Sequence, residues 1–113
     1  MKLLNQLGVT RGQIVFRHRP PRGQVPSSLL AYRGRAIEAW TGDFLMALPD
    51  NAQIVRLTLS DDDRRRVAKT EVVLSGPLVG RVRAMALDGA GIVYLANDDR
   101  VLALAPAGWD STR

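Results

Sequence analysis

The chain contains no cysteine, which excludes disulfide staples, thiolate metal sites and thiol nucleophiles together. It has a single histidine, His18, so imidazole acid–base chemistry has one candidate. Long apolar runs are lacking as well. No stretch approaches the length of a membrane-spanning helix. Met1-Lys2-Leu3-Leu4 gives way to Asn5 before a signal-peptide core can form, and no small-residue cleavage site follows. The expectation is a chain with no membrane segment and no export signal of its own.

What is present is a basic sequence of 113 residues, with a formal charge of +5 and a pI of about 10.7, its basic set dominated by arginine. That length fits one small domain with an adequate but modest core. The apolar share of 46% and charged share of 24% are ordinary for a globular protein. A basic surface attracts polyanions through general electrostatics, which bears on weak partners before it bears on a specific function.

The stretch from Gly80 to Leu104 organises the chain. Val82, Ala84, Ala86 and Ile92, Tyr94, Ala96 alternate with their neighbours at the two-residue period of a pleated strand. Asp88-Gly89-Ala90-Gly91 and Asn97-Asp98-Asp99 supply turn residues between them. This predicts a three-stranded antiparallel meander over 82–86, 92–96 and 101–104, the inner part of a propeller blade. Upstream, strands are expected at 13–17, 28–32, 43–48, 53–59 and 67–74. Pro20-Pro21 breaks the first, because proline removes donors and fixes φ. Trp40 anchors the connector from Ala36 to Thr41, Pro49-Asp50-Asn51 makes a turn, and Ser60–Arg66 makes a charged hairpin tip.

Phe44–Leu57 echoes Ile92–Leu104 at an offset of roughly 47 residues, the size of one four-stranded blade. The expected fold is therefore all-β: two four-stranded antiparallel blades of a partial β-propeller over 13–105. Residues 1–12 form a flexible N-terminus and 106–113 a tail. Residues 13–17 close back as the fourth strand of the second blade. Two blades do not close a propeller, so exposed apolar faces and strand edges imply either a homo-oligomer or the remainder of a longer propeller. Three copies of two blades make a closed six-bladed ring.

Pro26-Ser27-Ser28-Leu29-Leu30-Ala31-Tyr32, Trp40-Thr41-Gly42-Asp43-Phe44-Leu45, Arg81-Val82-Arg83 and Asp88-Gly89-Ala90-Gly91-Ile92-Val93-Tyr94-Leu95 follow in a specific order. In this the chain resembles the C-terminal part of the soluble glucose/sorbosone and aldose sugar dehydrogenases that use pyrroloquinoline quinone. The resemblance covers about residues 25–105 and the last third or so of a full family member. It implies a six-bladed propeller, typically periplasmic, that oxidises aldose sugars. It also implies that Arg81 and Arg83 bind carboxylates of the quinone, a role that suits planar guanidinium forks. The plainer alternative is a pair of solvated or salt-bridged arginines.

Departures from the family pattern matter as much. Asp50 falls near the position where the family places a cofactor-binding lysine, and Ala84 stands where an aspartate commonly follows the Arg-x-Arg piece. The family's catalytic histidine lies in an N-terminal half that this sequence does not contain, and His18 is outside that motif. Its calcium ligands also come largely from segments absent here. No catalytic residue and no metal ligand is therefore assigned, and calcium is not expected from this chain alone.

The remaining constellations have plain readings. Asp61-Asp62-Asp63 precedes three arginines and lacks calcium-loop spacing, so a solvated tip is expected. His18 sits between Arg17 and Arg19 with no nucleophile beside it, and reads as a surface histidine. Arg11, Arg17, Arg19 and Arg22 surround Phe16, but one aromatic and two prolines make a poor platform for nucleic acid. Trp40 and Trp109 can stack on a sugar, though plugging a core or a blade end is the usual use of so large a side chain. Two functions follow: a sugar-dehydrogenase-like propeller module incomplete for catalysis alone, or a non-enzymatic scaffold that kept the blades.

Overall fold

The computed structural model describes residues 17–62, 64 and 66–109. They form two antiparallel sheets. The first runs in the order β1 (Ser28–Ala31), β2 (Phe44–Leu48), β3 (Gln53–Leu59) and β4 (Val67–Ser75). The second is β5 (Ala84–Leu87), β6 (Val93–Ala96) and β7 (Val101–Leu104). Short 3-10 turns at Glu38–Trp40 and Pro49–Asn51 complete the regular structure among the described residues.

β2 reads Phe-Leu-Met-Ala-Leu, and a strand with no polar face suits a sheet covered on both sides. Leu45 and Ala47 turn to the second sheet. With Tyr32 and Ile54 they pack against Val79, Val82, Val93 and Leu95 to form the main core. Met46 and Leu48 turn the other way and form a second cluster with Val55 and Leu57. His18, Pro20 and Pro26 lie along that outer face. β3 and β4 pair through two register shifts, at Ile54/Val55 and Thr58/Leu59, irregularities that bend a strand and increase its twist.

The expected strands at 28–32, 43–48, 53–59 and 67–74 appear within a residue or so of their predicted ends. Residues 13–16, which carry most of the strand expected at 13–17, lie outside the described residues; the second sheet has three strands among those described. Its first strand begins at Ala84 and not at Val82; Val82 lies just ahead of it, buried in the core. Period two did not reveal which set faces inward. The bulkier Met85, Leu87 and Leu95 pack on the core. Ala84, Ala86, Tyr94, Ala96, Val101 and Ala103 share the opposite face, as their cross-strand register requires.

Antiparallel connections give the pair of sheets two distinct ends. At one end lie the β2–β3 turn, the segment 76–83 and the β6–β7 turn. At the other lie the β1–β2 connection and the β5–β6 turn, joined where the Ala36 N–H donates to the Ala90 carbonyl at 3.1 Å.

Candidate functional site

The arginine pair belongs to the first end. Gly80 adopts φ +60° and donates its N–H to the Gly76 carbonyl at 3.1 Å, a left-handed conformation that glycine takes without steric cost. This turn delivers Arg81-Val82-Arg83 into β5, with the Arg83 N–H donating to the Ala96 carbonyl at 2.7 Å. Asn97 holds the facing β6–β7 turn. Its Oδ1 accepts the N–H groups of Asp99 and Arg100, both at 2.8 Å, and its Nδ2 donates to the carbonyls of Leu78 and Val79 at 3.2 and 2.9 Å. One side chain thus folds its own turn and ties the arginine segment to it.

Asp98, at the tip of that turn, accepts a hydrogen bond from Arg83 Nε at 2.8 Å and lies 3.7 Å from Arg81 Nε. Arg81 Nη1 bonds Asp50 Oδ1, presented by the Pro49–Asn51 turn. Both arginines precede β5, and Asp98 is what makes them converge. All four side chains are about half exposed. The hydrogen bond from Arg83 holds the Asp98 carboxyl below its usual range, and the same bond raises Arg83. A carboxylate so stabilised is a poor general base at neutral pH.

Two guanidinium forks are a donor set that suits carboxylates. Here, however, two carboxylates of the chain itself already bond them, and the four formal charges sum to zero. Asp50 adds negative charge where a tricarboxylate quinone would need another cation. The cluster as built does not fit that cofactor.

The other candidates do not converge on the arginines. His18 lies on the outer face of the first sheet beside Met46 and Leu57. Asp62 pairs with Arg66 at 3.7 Å on the exposed β3–β4 tip; Asp63 is outside the described residues, as are Arg11 and Phe16. Among the described residues no group of three histidine, aspartate or glutamate side chains could hold a metal. Trp40 packs edge-on against Tyr32, centroids 5.8 Å apart. Trp109 stands at the opposite end, near Arg33 and Arg35.

Sequence reasoning missed two roles. Asp43, of the Trp-x-Gly-Asp piece, is buried and lies 3.5 Å from Arg56 Nε, which also faces Glu71 at 3.2 Å through Nη2. Thr58 Oγ1 donates to the same Asp43 oxygen at 3.2 Å. That aspartate serves the packing of the first sheet. The second is the seam at Tyr32, whose hydroxyl donates to the Gly91 carbonyl at 2.6 Å and accepts the Ile37 N–H at 2.9 Å.

Residues 9–105 match the family model for glucose/sorbosone dehydrogenase, a span that starts before the quoted motifs. A solved structure titled glucose dehydrogenase shares 26% identity at a TM-score of 0.61, over 73% of this chain and 25% of its own. A putative oxidoreductase (glucose dehydrogenase) from Thermus thermophilus shares 27% identity at a TM-score of 0.50, over 71% of this chain and 24% of its own. No curated protein matches. The chain spans about a quarter of the length of these two solved structures. With most of its residues inside the family model, the chain belongs to the glucose/sorbosone dehydrogenase family, of which it represents a partial domain.

Proposed function

We propose that this chain is a two-blade module of a sugar-dehydrogenase-like propeller, one that supplies blades but no reaction centre of its own. The observation that carries this reading is the saturation of Arg81 and Arg83 by Asp50 and Asp98. It leaves the implied quinone site self-neutralised and without an adjacent base. No aldose pocket, calcium ligand or catalytic group is assigned to the chain. Titration with pyrroloquinoline quinone and calcium, followed by cofactor absorbance, tests it. The native chain should bind weakly or not at all. Asp50→Lys, which releases Arg81 and adds a third cation, should produce binding that Arg81→Ala removes. Tight binding by the native chain, lost in Arg81→Ala and Arg83→Ala, would restore the cofactor-site role.

A scaffold that assembles with copies of itself is favoured by a separate observation. The outer face of the second sheet is apolar and bare, with Val101 70% and Tyr94 37% exposed. The β7 edge beside it has no partner strand among the described residues. Such a face needs a neighbouring blade, either from a longer propeller or from further copies closing a ring.

A further inference from the structure

The geometry points to a second binding site, for a ring-bearing anion, at the end of the molecule opposite the Arg81–Arg83 cluster. An open cleft of about 400 Å³ lies there, within the size range of small-ligand sites. Arg33, Arg35 and Trp109 wall it, and Gly34, Gly89 and Ala90 contribute its backbone surface.

The chemistry of this lining is one-sided. Arg56, Arg66, Arg81 and Arg83 each face a carboxylate, whereas Arg33 and Arg35 form no ion pair among the described residues. The Trp109 indole is exposed and makes no side-chain hydrogen bond among them. These three side chains are all donors and carry no acceptor. Two of the backbone carbonyls in the lining are already used: that of Gly34 accepts from Thr41 Oγ1 at 2.8 Å, and that of Ala90 from the Ala36 N–H at 3.1 Å. A lining of unmatched donors selects an acceptor-rich anion, and an exposed indole offers a flat face on which a ring can lie.

The floor is held in place before any ligand arrives. Gly34 and Gly91 meet backbone to backbone, so that a Cβ on Gly34 would fall 2.0 Å from the Gly91 Cα. The Tyr32 hydroxyl ties the same two loops together. A preformed site spends little on ordering. The ligand class is a phosphate- or carboxylate-bearing ring of monosaccharide to nucleotide size, its anionic group between the guanidiniums and its ring against Trp109.

AMP, glucose 6-phosphate and glucuronate are the probes, with adenosine and glucose as neutral controls, followed by tryptophan fluorescence and by calorimetry on the full chain. At least one charged probe should bind saturably and its neutral counterpart should not. Each of Arg33→Ala and Arg35→Ala should weaken binding about tenfold, the scale of a lost hydrogen bond to a charged group. Trp109→Phe should remove the fluorescence response. Arg100→Ala, at the other end of the second sheet, should leave binding unchanged, and circular dichroism should show every variant folded. AMP alone binding would identify a nucleotide, and the sugar acids alone an acidic sugar. No saturable binding, equal binding of neutral probes, or an equal loss in Arg100→Ala would overturn the site. None of these outcomes depends on the quinone titration.

Discussion

Gly34 and Gly91 meet backbone to backbone where the two sheets join. A Cβ on Gly34 would meet the Gly91 Cα at 2.0 Å, and one on Gly91 would meet the Gly34 Cα and the Tyr32 hydroxyl at 2.8 Å. Backbone atoms cannot rotate aside, so Gly34→Ala should open the seam between the sheets and cost about 3 kcal/mol or more in urea unfolding. Gly89→Ala, with nothing within 4 Å of its Cβ, should cost far less and serves as the control. Tyr32→Phe removes the hydroxyl and leaves the Gly91 carbonyl and Ile37 N–H without it; a loss of about 2 kcal/mol is expected by the same measurement. None of this was legible from the sequence. Tyr32 reads there as the end of a strand and Gly91 as a turn residue, and the bond between them spans 59 positions. Local pattern reports local geometry; it does not say which turn meets which loop.

At the scale of elements, the turns carry more chemistry than the strands. Asp88 Oδ1 accepts the N–H groups of Ala90, Gly91 and Ile92 at 2.9, 3.0 and 3.0 Å, and Tyr94 donates to its Oδ2 at 3.1 Å. These bonds favour the ionised form, the Ile92 N–H first, and hold the Asp88 carboxyl below its usual range. Asp98 is lowered by Arg83. A carboxyl whose folded pKa lies below its unfolded value stabilises the fold above the unfolded pKa. That stability is lost as pH falls through the folded one. Thermal stability should therefore be flat near neutrality and decline below about pH 4. In Asp88→Asn the decline should be smaller, because one of the depressed groups is gone; an unchanged acid limb would contradict this role. Asp88-Gly89-Ala90-Gly91 and Asn97-Asp98-Asp99 were readable as turns from composition, and strand positions from alternation. The ion pairs were not, because Asp50 sits on the β2–β3 turn and Arg81 on the segment leading into β5, and the two meet only when the sheets pack. Asp50 was legible as a departure from the family's lysine, and the structure gives that departure a partner.

For the whole molecule, the imbalance between the sheets decides what the chain can do alone. The two central strands of the first sheet, β2 and β3, are buried on both faces. The second sheet is covered on one face only, and its outer surface places Ala86, Tyr94 and Ala103 side by side across three strands without a charge. Strand spacing in the sequence predicted a pair of four-stranded blades, and the 4 + 3 arrangement of the described strands agrees with the all-β part of that expectation. The direct measurement is sedimentation velocity of the full chain from low to high micromolar concentration. An open blade pair should associate as concentration rises, and Ala86→Glu or Ala103→Glu, which sets a charge beside Tyr94 on the bare face, should return it to monomer. A folded native chain that sediments as a single monomer throughout would contradict the open-blade architecture.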